Sequence, residues 1–270
     1  MTYSIVARDP ATGDLGVAVQ SHFFAVGSIC PWVEPGVGAI TTQAEALMSY
    51  GPRGIDAMRS AQSASEALAA LVAEDDERDR RQVAFVDPTG AAAVHTGERC
   101  IAEASHVTGE GFSAQANMMR DTGVPEAMAE AFAAADGDLA ARLLAALHAA
   151  EAAGGDIRGK QSACLLVASA GAKPWERAYD VRVDDHPEPL DELSRLVGLH
   201  RAYRDGEAVN NELRFRRALE LAGEGDVSAA RKLLTPVLAE HDGWAILLRR
   251  LPATGQVEQD TVTKLLEAGP

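Results

Sequence analysis

The chain has 270 residues, of which 47% are hydrophobic, and it carries a formal net charge of −15. This acidic balance argues against general nucleic-acid binding, which needs a basic stripe, and no apolar run approaches the ~20 residues of a transmembrane helix. The cysteines Cys30, Cys100 and Cys164 have no CxxC spacing, which argues against a disulfide framework or a zinc site. We therefore expect a cytoplasmic protein that binds neither nucleic acid, membrane, metal nor cofactor.

Three strands are predicted near the start of the chain. Small apolar and β-branched residues mark strands at 4–8, 15–21 and 36–43. Turn-forming residues at 9–14 join the first two strands into a hairpin. This hairpin puts Thr2 at the edge of a sheet, where a chain end can point into a cleft.

The middle of the chain mixes helices and strands. Ser63 and Glu66 form a capping-box pattern at the start of a helix, and residues 108–111 (Thr-Gly-Glu-Gly) predict a flexible stretch. A second hairpin, two Ala-rich helices and two apolar strands are predicted at 82–95, 125–134, 139–153, 161–170 and 178–183. This order favours an α+β protein with antiparallel sheets covered by helices.

A domain boundary is predicted at Pro187 and Pro189, because two prolines within three residues stop regular structure. The predicted domains are residues 1–189 and a helical region, residues 190–270. Helices are predicted at 190–204, 211–223, 227–241 and 261–266. Two of them resemble one tetratricopeptide-like unit, too little for a repeat array. We expect this appendage to pack on the first domain or across a dimer interface, in a homo-oligomer; the alternative is a separate peptide-binding module.

Thr2 is the candidate nucleophile. A threonine behind the initiator methionine is small enough for cytosolic removal of Met1. The mature chain would then begin with a hydroxyl beside a free α-amine, which is a self-contained nucleophile and base. An α-amine titrates near pH ~7.7–8.0, so a useful fraction acts as a base at neutral pH.

Several segments resemble the DUF1028 family, an uncharacterised group within the N-terminal nucleophile (Ntn) hydrolase superfamily. They are TYSIVARD at 2–9, GVAVQS at 16–21, GVGA at 36–39, TQA at 42–44, YGPRG at 50–54, GGDIRGKQS at 154–162 and RVDDHP at 182–187. The resemblance covers roughly the first 190 residues. It implies a four-layer αββα sandwich and an N-terminal threonine as nucleophile.

The resemblance also implies roles for individual residues. A looser similarity to proteasome-type β subunits places Gln20, Ser28 and Thr42 where those proteins carry an aspartate, a lysine and the oxyanion-hole glycine. Asp156 lies in a loop that resembles their Asp-x-x-Ser-Gly loop, so it would support the Thr2 amine. Arg158 or Lys160 would supply the positive charge that Ser28 does not.

Further polar residues complete the predicted site. The backbone amides of Thr42 and Gln43, together with the Asn117 carboxamide, are expected to hold the oxyanion. The residues expected to bind substrate are Gln20, Ser21, Arg158, Gln161 and Ser162.

The hypothesis that follows is an Ntn amidohydrolase that cleaves a small polar amide, because no large aromatic patch suits a hydrophobic acyl group. One alternative is an inactive Ntn-fold protein for binding or assembly, which the missing lysine and the helical tail favour. Another is a hydrolase built on Ser21 and His22, although adjacent strand residues face opposite sides of a sheet.

Overall fold

The computed structural model describes residues 2–266, in two compact units. The first unit ends at Val197 and the second begins at Gly198. The division therefore falls within the helix Pro189–Asp205, whereas the prolines that predict a boundary lie at and before its first residue.

Ten strands are described, all in the first unit, and they form two antiparallel sheets. The strands are β1 (Thr2–Arg8), β2 (Leu15–Ser21), β3 (Pro31–Glu34), β4 (Gly38–Ala44), β5 (Arg81–Val86), β6 (Ala92–Thr96), β7 (Ser105–Gly109), β8 (Phe112–Asn117), β9 (Ser162–Ala168) and β10 (Tyr179–Val183). Sheet I has the order β10-β9-β2-β1-β8-β7, and sheet II has the order β3-β4-β5-β6.

Nine α-helices are described alongside the sheets. They are α1 (Tyr50–Arg59), α2 (Ala64–Glu74), α3 (Val124–Ala134), α4 (Leu139–Ala152), α5 (Pro189–Asp205), α6 (Asn211–Gly223), α7 (Val227–Glu240), α8 (Gly243–Arg250) and α9 (Gln259–Leu266). The prediction of an α+β protein with antiparallel sheets is confirmed. None of the described helices combines the length and apolar character that crossing a membrane requires.

The period of two along each strand divides the core into layers. One face of sheet I packs against α3, α4 and the start of α5, through residues such as Ile5, Leu143 and Leu193. Its other face meets sheet II through residues such as Val17 and Val33. The far face of sheet II is covered by α1 and α2.

The hairpin of β7 and β8 differs from the sequence prediction. Thr108 and Gly109 are the last residues of β7, and Glu110 and Gly111 form the two-residue turn that leads into β8. Gly111 has a φ of +78°, a conformation that glycine adopts at little cost. Because β8 pairs with β1, Thr2 lies at the end of a central strand and not on a sheet edge.

The second unit is helical and has its own core. Helices α6 and α7 pack together and also contact α8 and α9. Phe215, Leu234, Leu248 and Val262 are among the buried residues that they share. Helix α8 was not predicted. The likeness of α6 and α7 to a tetratricopeptide unit stays a prediction.

Candidate active site

Thr2 is buried in the layer between the two sheets. It begins β1, where it pairs with Asn117 of β8, and only 5% of its surface is exposed. The Thr2 hydroxyl donates to the Ser21 hydroxyl of β2, with 3.2 Å between the oxygens. The ends of three neighbouring strands of sheet I therefore meet at this residue.

Two carboxamides hold the main-chain carbonyl of Thr2. Gln43 Nε2, from sheet II, and Asn117 Nδ2, from sheet I, each lie 3.3 Å from this oxygen. Both nitrogens also donate to Gln82 Oε1, at 2.8 and 3.0 Å. The Asn117 amide thus has an acceptor for each of its two protons. Gln43 and Asn117 therefore fix the backbone of Thr2. Because both N–H groups of the Asn117 carboxamide are engaged, this carboxamide does not have the free donor that the predicted oxyanion role requires.

Gln82 is the hub of this network, and the sequence-based prediction missed it. It is fully buried on β5, and its Nε2 donates to Thr96 Oγ1, Ser105 O and Ala116 O at 2.9 to 3.1 Å. These three acceptors settle the orientation of the carboxamide. A polar residue at alternate positions of a strand is ordinarily solvent-facing, so the pattern alone did not reveal its burial.

A second group of polar side chains continues the network along β1. Ser4 Oγ donates to Gln43 Oε1 at 2.6 Å. Gln115 Nε2 donates to Ser4 Oγ at 2.7 Å, and Ser113 Oγ donates to Gln115 Oε1 at 2.8 Å. Because buried polar groups are costly unless they are paired, this connected network rigidifies the region where the sheets meet.

A pocket of about 200 Å³ opens beside Thr2, and we call it the Thr2 pocket. Its lining residues are Thr2, Ser21, Phe23, Val26, Ile29, Cys30, Gln43, Ala44 and Ala46. Apolar residues predominate, and Phe23, Val26 and Ile29 come from the segment between β2 and β3. A small polar amide is the substrate expected from the sequence, whereas this pocket is mainly apolar because the segment between β2 and β3 supplies much of its wall.

Cys30 contributes a neutral wall to the Thr2 pocket. Burial raises the pKa of its thiol to about 12. The group is protonated at neutral pH, and thiolate is the form that reacts. Cys30 is therefore a packed wall residue and not a nucleophile.

A second pocket, of about 140 Å³, shares Ala44 with the first, and we call it the Arg99 pocket. Its lining residues are Ala44, Glu45, Arg80, Arg99, Cys100, Ile101, Asn117 and Met118. Thr2 lines one pocket and its strand partner Asn117 lines the other. The two pockets therefore flank the end of β1.

Left-handed backbone conformations are concentrated around these pockets. Among the described residues, four that are not glycine have positive φ: Ala25, Ala44, Ala61 and Met118. Ala44 and Met118 line the Arg99 pocket, and Ala25 directly precedes Val26 in the wall of the Thr2 pocket. Such residues cost free energy and are enriched at functional sites.

Asp156 lies at the same end of β2 as Ser21. Its buried carboxylate accepts hydrogen bonds from the backbone N–H groups of His22 and Arg158, each at 2.9 Å, and it forms an ion pair with the Arg158 guanidinium at 3.2 Å. His22 directly follows Ser21. Asp156 therefore anchors the strand end that carries the hydroxyl partner of Thr2.

Two of the predicted site residues, Gln20 and Thr42, lie on the helix-covered faces of the sheets and not between the sheets with Thr2. Gln20 is opposite Tyr3, whose side chain packs in the helix-covered core of sheet I, and directly opposed residues share a face. Thr42 is opposite Val83, in the core covered by α1 and α2. The Thr42 N–H donates to Cys30 O at 3.0 Å, so this amide is not a free oxyanion donor.

Two other predicted site residues, Gln161 and Ser162, do not line the pocket. Ser162 Oγ donates to Phe23 O at 2.6 Å and accepts from the Val26 N–H at 3.0 Å, so it holds the wall segment in place. The Gln161 side chain donates to Asp185 at 3.1 Å. Neither residue is among those that line the Thr2 pocket.

The predicted cations are already paired. Arg158 pairs with Asp156, and Lys160 pairs with Glu188 and lies 3.9 Å from Glu151. Ser28 is exposed and donates to Ala25 O. Within residues 2–266, no cluster of three or more His, Cys, Asp or Glu side chains has a metal-binding arrangement.

Comparison with solved structures identifies similar proteins. Protein SPO2555 from Silicibacter pomeroyi, a DUF1028 protein, is 33% identical with a TM-score of 0.67, and the match covers 73% of this chain and 88% of that one. Anbu (ancestral beta-subunit) from Yersinia bercovieri is 11% identical with a TM-score of 0.35. An Anbu mutant from a Hyphomicrobium strain is 12% identical with a TM-score of 0.37. Both Anbu matches cover 76% of this chain and 97% of the other.

Sequence comparison agrees with the resemblance that the motifs indicate. Among curated proteins there is no match to this chain. The model of a family of unknown function, DUF1028, matches residues 2–193. This span includes both sheets and both pockets, and the chain therefore belongs to the DUF1028 family.

Proposed function

We propose that this protein is an Ntn amidohydrolase and that its packed helices and sheets are the four-layer αββα sandwich of that superfamily. Thr2 would be the nucleophile after removal of Met1, which lies outside the described residues. The observation that carries the proposal is the placement of Thr2. Thr2 lines a pocket together with Ser21, the partner of its hydroxyl, and its carbonyl is held by Gln43 and Asn117.

The bonds that form and break in the proposed reaction involve only Thr2, the substrate and water. The α-amine takes the proton from Thr2 Oγ1 as this oxygen adds to the amide carbon. The C–N bond then breaks, and the amine passes the proton to the departing nitrogen. Water adds to the resulting ester as the amine takes its proton, the ester C–O bond breaks, and Thr2 Oγ1 is reprotonated as the carboxylic acid leaves.

We assign the Ala44 N–H as the main-chain oxyanion donor. Backbone amides alternate in direction along a strand. The Thr42 N–H points toward β3, so the Ala44 N–H points the same way. Strand β3 does not extend as far as Ala44. It runs antiparallel to β4 and begins at Pro31, which pairs with Thr41. Ala44 also lines the Thr2 pocket. Asp156 would position the Thr2 amine indirectly, because it anchors the end of β2 that carries Ser21, the hydroxyl partner of Thr2.

The test compares wild type with Thr2→Ala and Thr2→Ser across an amide library. Intact mass first establishes that Met1 is absent from each protein. We expect Thr2→Ala to lose at least about a thousandfold in rate, while Thr2→Ser retains measurable turnover because it keeps a hydroxyl. Equal rates for wild type and Thr2→Ala would overturn Thr2 as the nucleophile and favour the Ser21 and His22 alternative, which Ser21→Ala then tests.

A non-catalytic binding protein is the second candidate. No charged side chain is among the described residues that line the Thr2 pocket, and both candidate cations are engaged in ion pairs. A nearby cation is one of the factors that lower the pKa of an amine, and the described lining of this pocket supplies none. This candidate expects Met1 to be retained, and it expects ligand binding without turnover in the wild type.

A further inference from the structure

We infer that the substrate is an amide that joins an apolar acyl group to an amine carrying a carboxylate. This inference rests on the proposed hydrolase function and specifies its substrate class. The acyl group occupies the Thr2 pocket, and the carboxylate lies against Arg99 in the Arg99 pocket. An N-acyl amino acid with a short aliphatic or phenylacetyl group has this chemistry.

The Thr2 pocket has the composition and size for an apolar acyl group. Phe23, Val26, Ile29, Ala44 and Ala46 present hydrocarbon to it, and the Cys30 thiol is neutral. An apolar protein cavity of ~150 Å³ holds benzene, so about 200 Å³ accommodates a group the size of phenylacetyl or hexanoyl. Burying each CH₂ contributes about 0.8 kcal/mol, which favours such groups over acetyl.

The Arg99 pocket has the charge for an anion. Glu45 is the one carboxylate among its described lining residues, and it pairs with Arg80 at 2.9 Å. Arg80 also pairs with Glu77. Arg99 is exposed, and its guanidinium has no hydrogen bond or ion pair with any residue in the described part of the chain. A guanidinium binds a carboxylate through two parallel hydrogen bonds.

The two pockets are close enough for one small molecule to reach both. They share Ala44, and Thr2 and Asn117 are opposed residues of adjacent strands, whose Cα atoms are ~4.5–5.5 Å apart. A scissile carbonyl at Thr2 Oγ1 would therefore have its acyl side in the apolar pocket. Its amine substituent would extend past Ala44 toward Arg99.

The experiment uses N-hexanoylglycine as the probe, with N-ethylhexanamide, which lacks the carboxylate, and N-succinylglycine, which has a polar acyl group, for comparison. Hydrolysis is measured with wild type, Arg99→Gln and Arg120→Gln. Arg120 is exposed and lines neither pocket, so it is the matched loss of charge. We expect Arg99→Gln to lower kcat/KM for N-hexanoylglycine about tenfold, equivalent to ~1.4 kcal/mol, and to leave N-ethylhexanamide unchanged.

Calorimetric binding to Thr2→Ala separates this inference from the proposed function. Binding of N-hexanoylglycine that Arg99→Gln weakens supports the ligand class even where the wild type does not cleave it, and in that case only the hydrolase assignment fails. Hydrolysis that prefers N-succinylglycine, or that responds equally to Arg99→Gln and Arg120→Gln, overturns the inference while the hydrolase assignment stands. Absence of binding to Thr2→Ala also overturns the inference.

Discussion

Gln43 Nε2 lies 3.3 Å from the carbonyl oxygen of Thr2, so a side chain of sheet II fixes the first residue of a central strand in sheet I. The hydrophobic contact between the sheets sets their separation but not the position of one hydroxyl. Directional hydrogen bonds supply that position. Loss of this network should therefore affect both stability and the candidate site.

Gln82→Leu tests the hub of the network. The substitution leaves the amides of Gln43 and Asn117 without their shared acceptor, and it removes the side-chain donor to Ser105 O and Ala116 O. We expect the free energy of unfolding in urea to fall by about 1–3 kcal/mol. Gln62→Leu is the control, since Gln62 is exposed, and it should change the value by no more than about 0.5 kcal/mol. Equal losses in the two variants would contradict the role of Gln82.

Ser162→Ala tests the support of the pocket wall. The variant loses the bonds to Phe23 O and the Val26 N–H, so we expect faster hydrogen exchange in residues 23–28, measured by mass spectrometry. Unfolding free energy should fall by about 1–2 kcal/mol. Ser65→Ala, at an exposed position on α2, should leave exchange in that segment unchanged. Unaltered exchange in Ser162→Ala would show that the wall does not depend on this hydroxyl.

Asp87 makes stability depend on pH on the acid side. Burial opposes its ionisation, but hydrogen bonds from Thr89 and from the Ala64 and Ala91 amides outweigh burial and lower its pKa. A depressed folded pKa adds stability above the unfolded value of ~3.9 and removes it as pH falls through the folded value. We therefore expect urea midpoints to drop below about pH 4.

Asp87→Asn identifies the contribution of this carboxylate to acid unfolding. At pH 7 the variant should be less stable than wild type by about 1–3 kcal/mol, and the difference should shrink as pH falls below 4. Asp76→Asn, at an exposed position, is the control and should follow the wild type throughout. A constant difference between Asp87→Asn and wild type at all pH values would show that the aspartate acts by shape and not by charge.

The cysteines give a prediction about accessibility. Burial raises the pKa of Cys30 to about 12 and raises that of Cys164 well above its usual value. We expect iodoacetamide at pH 8 to leave both unmodified in the native protein, because the thiolate is the nucleophile, and to modify them in urea. Peptide mass spectrometry gives the extent at each site. Rapid native labelling of Cys30 would mean that the Thr2 pocket opens widely.

The sequence predicted most elements of the first unit because their signals are local. The capping box at Ser63 and Glu66 forms as expected, and runs of mainly apolar residues mark β2 and β9. The strand Phe112–Asn117 has small and amide residues with low strand propensity. It is a strand because β1 and β7 pair with it on both sides, and that tertiary contact leaves no local signal.

The candidate site was predictable only in part, for a related reason. Ser21 ends one predicted strand and Thr2 lies two residues before the other, so their proximity follows from hairpin pairing. Gln82 joins the site through the stacking of two sheets, and a hydrophobic pattern gives no register between sheets. The apolar wall comes from residues 23–30, whose path depends on the anchor at Ser162.

The pairing of β1 with β8 also dictates when the chain end can be processed. More than a hundred residues separate Thr2 from Asn117 along the chain, so β1 gains its second neighbour only after β8 has been synthesised, and such non-local pairing is slow. Once that happens, Thr2 and Tyr3 are buried between two strands. An aminopeptidase acts on an extended, accessible terminus, so in the proposed hydrolase the removal of Met1 would have to precede this pairing.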